Sequence, residues 1–207
     1  MVLLRAFAEL IAPNACAACD ALVAPNAIFC RTCALTVERT LAPDGVFAYG
    51  GAVALAIRRF KFASRPDLIE RFASLLVPLV PPDADLVLPV PIHPTRLAER
   101  GYNQAALLAR PVARALGLPF AARVLRRLRD TPKQTTLDRE LRHINVRGAF
   151  VVADARSKRL VAGRNVALVD DVRTTGSTLR ACADALNEVG ARRVYPLVLA
   201  CRDGSAL

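Results

Sequence analysis

The run Val166-Ala167-Leu168-Val169-Asp170-Asp171-Val172-Arg173-Thr174-Thr175-Gly176-Ser177-Thr178 constrains the fold more than any other stretch of the chain. Four apolar residues leading straight into two acids predict a strand buried on both faces of a parallel sheet, with Asp170 and Asp171 at its carboxyl end. In open α/β sheets, ligands bind in the crevice beyond those ends. Helical spacing then runs from Leu179 to Val189 and closes on Gly190, a C′ residue, so the small-residue loop over 174–178 caps a helix. N–H groups at a helix start, hydroxyls and a glycine that admits close backbone approach make a cradle for a phosphate. Two carboxylates beside that cradle would repel a bare phosphate. The ligand must therefore also bring hydroxyls, a metal ion or both. An ordinary loop with an N-cap is the alternative reading of the same residues.

A ribose 5-phosphate meets that description. The stretch resembles the phosphoribosyl pyrophosphate (PRPP) signature of the type I phosphoribosyltransferases. The resemblance implies a cofactor-binding set of Asp170, Asp171, Val172, Arg173, Thr174, Thr175, Gly176, Ser177 and Thr178. In that set the two acids hold the ribose 2- and 3-hydroxyls and residues 174–178 wrap the 5-phosphate, with Mg2+ accompanying the diphosphate.

Cys16-Ala-Ala-Cys19 and Cys30-Arg-Thr-Cys33 are two CxxC knuckles separated by ten residues. Two close thiolate pairs brought together by a short hairpin supply four sulfurs for tetrahedral zinc, and a segment with so little core of its own gains from that link. Four cysteine ligands leave no open position, so the expected role is structural; iron in place of zinc stays open. A redox dithiol competes, although such motifs come singly within a βαβ unit. Cys182 and Cys201 are expected to be core thiols.

The charge lies in the middle of the chain. Residues 51–150 carry 17 basic and 8 acidic side chains, whereas residues 1–50 carry 3 and 4 and residues 151–207 carry 9 and 6. Such a field favours phosphate-rich partners, meaning a diphosphate, a nucleic acid or both. Residues 41–51, with their Pro, Asp and Gly, predict a linker. Ala52 to Phe62 has helical spacing and ends in Arg58-Arg59-Phe60-Lys61-Phe62, either a phosphate- and base-contacting segment or an ordinary helix end. Leu68, Phe72, Leu75, Leu76 and Leu79 share one face of a further helix.

A second strand ends in Pro89-Val90-Pro91 and opens into His93-Pro-Thr-Arg-Leu-Ala-Glu-Arg-Gly-Tyr-Asn-Gln104. Arg96 and Arg100 lie where a diphosphate would be met. The lone His93 is expected to be a hydrogen-bonded loop residue. A helix from Asn103 to Leu116 is stopped by Gly117 and Pro119. Residues 123–147 then hold eight basic and three acidic side chains between two strand-like segments, the pattern of a mobile hairpin or lid or, taken in isolation, of a solvated surface run. Pro196 in the last strand predicts a sheet edge.

In combination the four cysteines, the His93–Gln104 loop, Thr131-Pro-Lys-Gln134 and Asp170–Gly176 occur in the order of the ComF family, the phosphoribosyltransferase-like competence proteins of bacteria. The chain departs from that pattern at Lys61-Phe62-Ala63-Ser64-Arg65, where a glycine is expected. The resemblance implies an α/β fold: a type I phosphoribosyltransferase-like parallel sheet flanked by helices, over 46–207, with a small four-cysteine zinc ribbon and leading helix over 1–45. It also implies binding of PRPP or a related sugar phosphate with Mg2+, binding of single-stranded DNA during natural transformation, and contact with a competence-machinery protein. The alternative is an active phosphoribosyltransferase on an unknown acceptor, with Asp170, Asp171, Arg96 and Arg100 as catalytic residues. No run of 18 apolar residues exists to span a membrane, and Arg5 and Glu9 interrupt the apolar start. The expected compartment is the cytoplasm.

Overall fold

The computed structural model describes residues 14–25, 27–62, 65–129 and 148–202. The expected leading helix, Thr131–Gln134 and the centre of the basic stretch lie outside them. In chain order the elements are α1 (Arg31–Ala34), β1 (Gly45–Ala48), α2 (Gly51–Phe62), α3 (Asp67–Leu76) with a 3-10 turn over Val77–Leu79, β2 (Leu86–Pro89), α4 (Pro94–Arg100) and α5 (Gln104–Leu116). There follow β3 (Leu125–Arg127), β4 (Phe150–Val152), α6 (Ala155–Val161), β5 (Asn165–Arg173), α7 (Ser177–Asn187) and β6 (Arg193–Cys201).

Four strands form one parallel sheet in the order β1-β6-β5-β2, while β3 and β4 make a separate antiparallel pair. Side-chain alternation along β5 assigns its residues to two cores. Ala167 and Val169 join Val87 of β2 beneath α2, α3 and α5, through Phe60, Leu68, Phe72, Leu108 and Val112. Val166 and Leu168 join Leu86 and Leu88 against α7, α6 and the β3–β4 pair, through Leu179, Cys182, Leu186, Val161 and Phe150. Phe60 and Phe72 meet edge to face at 5.7 Å. Burial of each large side chain is worth about 1.5–3 kcal/mol, which fixes the register of β5. Burial pushes the Cys182 thiol well above its ordinary value and raises that of Cys201, as core thiols require.

Two expectations are corrected. Residues 41–51 are not a plain linker, because Gly45–Ala48 pairs with Val198–Cys201 as the outer strand of the sheet. Four residues set among Pro, Asp and Gly give no readable periodicity, so pairing rather than pattern creates this strand. Pro196 does not mark an edge strand, since β6 lies between β1 and β5. The N–H of Val198, of the same parity, points to the β1 side and bonds the carbonyl of Asp44. Pro196 therefore lacks its N–H on the side where β1 has not yet begun, and no ladder bond is lost.

The ribbon is latched to α2 and α3 by arginines. Arg59 bonds the Ala18 carbonyl at 3.2 Å and pairs with Asp20, Arg65 reaches Asp20 at 2.6 Å and the Ala15 carbonyl at 3.4 Å, and Arg71 bonds the carbonyls of Ala15 and Ala27. Asp67 holds Arg65 through two contacts of 2.7 and 2.8 Å. The second junction is Gly51, with φ +44°, where an added Cβ would lie 2.5 Å from the Thr36 carbonyl oxygen. Thr36 Oγ1 accepts the N–H of Ala52 there.

Candidate functional site

The crevice arises from a mismatch of strand lengths. β2 stops at Pro89, opposite Val169, so β5 overhangs it by Asp170 to Arg173. Val90 N–H still bonds the Val169 carbonyl, and Asn103 Nδ2 bonds the Val90 carbonyl at 3.0 Å, which seats the 91–104 loop against the overhang. Both acids of the sequence pattern thus stand at the open end of a buried strand.

Alternation sends them to opposite faces. Asp171, only 6% exposed, faces α2, where its Oδ2 lies 2.8 Å from Lys61 Nζ without a completed hydrogen bond. Asp170 faces the other layer and accepts the N–H of Asp171 at 2.8 Å. Burial first, and the Asp171 charge second, raise the Asp170 carboxyl to about 7, against the pull of that N–H, Lys61 and Arg127. Asp170 is therefore poised to carry a proton near neutrality and to release it when a cation or hydroxyl donors arrive. The half-satisfied Asp171 oxygen, with an ammonium already beside it, is a donor set that fits a divalent cation with hydroxyls.

Beyond β5 the loop turns at Gly176, buried with φ +73°, into α7. No side chain caps this helix start, so the N–H groups of its first turn point into the loop. Thr175 Oγ1 and Ser177 Oγ lie 2.6 Å apart, and Arg180 bonds the Thr175 carbonyl at 2.5 Å, shaping the turn. The helix closes as its glycine requires, with Gly190 N–H on Asn187 and Ala191 N–H on Leu186.

Arg173 belongs to the scaffold. Its side chain is 2% exposed, and its guanidinium faces Asp44 through Nε at 2.9 Å and a hydrogen bond to Oδ1 at 3.2 Å, with Cys201 Sγ also at 3.2 Å. Asp44→Ala strips this buried cation of its carboxylate and is expected to destabilise the chain by about 3–5 kcal/mol, read as a lower urea midpoint at unchanged slope. A loss under about 1 kcal/mol, the worth of a surface pair, would contradict it.

The second arginine set, Arg96 and Arg100, sits on α4. His93 is the N-cap of this helix, with Nδ1 accepting the Thr95 N–H, and the loop role expected for it holds. Arg96 is half-buried on the first turn. Arg100 hydrogen-bonds Gln104 Oε1 at 3.1 Å and lies 4.8 Å over the Phe62 ring. Tyr102 Oη donates to the carbonyls of Phe60 and Lys61. The Lys61-Phe62 segment is thereby drawn into the crevice: Lys61 on Asp171, Phe62 under Arg100. Sequence reading left that segment undecided and did not single out Lys61. Its one signal was a lysine between two aromatics at a helix end.

At the ribbon the four thiols converge. The sulfurs of Cys16, Cys19, Cys30 and Cys33 all lie within 4.8 Å of one another. Tetrahedral zinc with bonds of about 2.3 Å needs sulfur separations of about 3.8 Å, so the set fits with a small contraction. The N–H of Cys30 bonds Cys16 Sγ and that of Cys33 bonds Cys30 Sγ, which supports thiolate charge. Burial opposes ionisation of Cys16, yet the N–H groups of Cys30, Ala18 and Cys19 bring its thiol down to about 6. Cys33, hydrogen-bonded to Cys19, is pushed up to about 12. Such splitting is what crowded thiols show when they share protons. Among the described residues no helix is long and apolar enough to cross a membrane.

The phosphoribosyl transferase domain family matches this chain over residues 103–206. Competence protein F of Haemophilus influenzae is 35% identical over 151 residues, which cover 69% of this chain and 65% of that protein. The DNA utilization protein YhgH of Salmonella typhimurium is 31% identical, covering 90% of this chain and 89% of that one. Competence protein ComFC of Bacillus subtilis is 32% identical, covering 78% and 67%.

Proposed function

This chain belongs to the ComF family of phosphoribosyltransferase-fold proteins, and we propose that it binds PRPP or a related sugar phosphate with Mg2+ and handles single-stranded DNA in transformation. The observation that carries the reading is the Asp170–Asp171 overhang beside an uncapped helix start: acceptors for ribose hydroxyls next to donors for a phosphate. Asp170 and Asp171 take the 2- and 3-hydroxyls, and the 174–178 turn takes the 5-phosphate. Mg2+, when bound, neutralises the diphosphate, on the side where Arg96 and Arg100 stand. Lys61 holds the place of that positive charge on Asp171 until the ligand arrives. The names of relatives, competence and DNA utilization proteins, support the DNA-handling half. Four reduced cysteines suit a reducing compartment, and we place the protein in the cytoplasm.

Binding is expected to depend on pH in a defined direction. Asp170, raised from 3.8 to about 7 in the unliganded fold, must ionise to face ribose hydroxyls beside a cation. Affinity for Mg2+–PRPP therefore falls by up to about tenfold per pH unit below that value, with one proton released per ligand bound. Conversely, the folded unliganded state binds more protons than the unfolded one between 3.8 and about 7, so its stability declines as pH rises through that window. Titrations in two buffers of different ionisation enthalpy measure the proton. Flat affinity across this range would reject the assignment of Asp170. A diphosphate-release assay, with and without single-stranded DNA, then separates a transferase from a binding protein.

A further inference from the structure

The crevice leaves one strongly charged feature unused. An open trough of about 680 Å³ runs between residues 120–124 and α6, with Phe120, Ala121, Val124 and Leu160 as its apolar lining and Arg123, Arg156, Arg159 and Arg164 around it. Among the described residues no acidic side chain lines it. Several arginines elsewhere are partnered, namely Arg59, Arg65 and Arg71 on the ribbon, Arg114 on Glu70 and Arg173 on Asp44, and others stand singly on the surface. Among the described residues these four guanidiniums make no hydrogen bond or ion pair. A solvated surface run scatters its charges. Here four unpaired cations from three segments are brought together.

The walls are fixed by the sheet and its helices. Phe120 bridges to Val87 on the free side of β2, and the Ala121 N–H bonds the Val87 carbonyl. Ala153 N–H bonds the Val124 carbonyl, Asp154 caps α6 through the Ser157 N–H, and fully buried Val161 plugs that helix into the core. Arg164 immediately precedes β5, so the trough lies at the opposite end of that strand from Asp171, roughly 23 Å away at 3.3 Å per residue. It is thus a separate place from the crevice.

We propose that this trough is a second anion site, and that it takes the backbone of single-stranded nucleic acid. The inference rests on the nucleic-acid half of the function proposed above and gives it a location. Four guanidiniums match successive phosphates by charge and by forked hydrogen bonding. The apolar lining, with the Phe120 ring and the flat faces of the guanidiniums, suits unpaired bases, which a duplex keeps stacked inside itself. An open trough admits a continuous strand.

The test uses the full-length, metal-loaded chain and a labelled oligothymidylate of about 16 nucleotides, the upper site size for grooves that track one strand. Fluorescence anisotropy across a salt series compares it with Arg123→Gln/Arg156→Gln/Arg159→Gln/Arg164→Gln. These side chains are exposed or half-buried and unpaired, so the fold survives, and unchanged Mg2+–PRPP affinity of the variant checks that the crevice is intact. The expected result is a more than tenfold loss of affinity, with the slope of log K against log salt reduced by about 3, at about 0.7 per phosphate contact on a single strand. Binding by the parent chain with equal affinity and slope in the variant would overturn the trough and leave the function above standing. No binding by the parent chain would overturn both. Equal affinity for a duplex of the same length would overturn the single-strand assignment, and displacement by equimolar inorganic triphosphate would reassign the trough to a small polyphosphate.

Discussion

Asp170→Asn/Asp171→Asn is expected to bind Mg2+–PRPP at least a hundredfold more weakly than the parent chain while keeping its fold and its metal. Each carboxylate in the proposed site makes charge-assisted hydrogen bonds to ligand hydroxyls, worth about 1.5–3 kcal/mol apiece, so losing both costs about 3–6 kcal/mol of binding. The unliganded single variant Asp170→Asn, which keeps the Lys61–Asp171 pair, should also be more stable than the parent at pH 8. Asp170 is held ionised there against burial and against Asp171, and an amide is relieved of both. With a carboxyl moved from 3.8 to about 7, and a discount for a half-buried group, the gain is on the order of 2 kcal/mol. Below about pH 3, where Asp170 is protonated in both states, the gain should vanish. An Asp170→Asn variant that loses ligand and stability together would instead mean that this acid is structural. Unchanged affinity would remove the crevice from the account.

Removal of the ribbon metal is the second large effect. Cys16→Ser/Cys30→Ser breaks the four-sulfur set on both knuckles, and a ribbon of this size has little else to hold it: Cys16, Ala18 and Ala52 are the fully buried members of its core. Once the ribbon opens, Arg59, Arg65 and Arg71 lose the carbonyls and the carboxylate that they hold, and partly buried guanidiniums are left to rehydrate. A loss of about 5 kcal/mol, modest beside the binding energy of structural zinc, lowers the melting temperature of a chain this size by about 10–20 °C. Metal content by mass spectrometry should fall from one per chain to none. Thermal stability unchanged by the loss of metal would reassign the four cysteines to redox chemistry, the alternative that their spacing also permits.

The parts legible in the sequence were those where one local run carries the physics. The apolar stretch into Asp170-Asp171 could only be a buried strand ending at a polar edge, and β5 is that strand. The CxxC pairs declared themselves by spacing, and their sulfurs converge. Legibility failed where structure depends on distant partners. Gly45–Ala48 is a strand because Val198–Cys201 lies beside it, and Pro196 is harmless because β1 starts two residues later. Asp44 and Arg173, 129 residues apart, meet only in the folded chain. The same holds for Lys61, which looks like any cation at a helix end until α2 brings it to Asp171. Arg100 was read as a diphosphate ligand, and the structure adds what charge counting cannot supply, its seat on Phe62 and Gln104.

The most direct measurement is a calorimetric titration of the metal-loaded chain at pH 8 with PRPP and Mg2+. Saturable binding is expected at one site per chain, lost on omission of Mg2+ and absent in Asp170→Asn/Asp171→Asn. Absence of saturable heat from the parent chain, or equal binding by the two proteins, would contradict it.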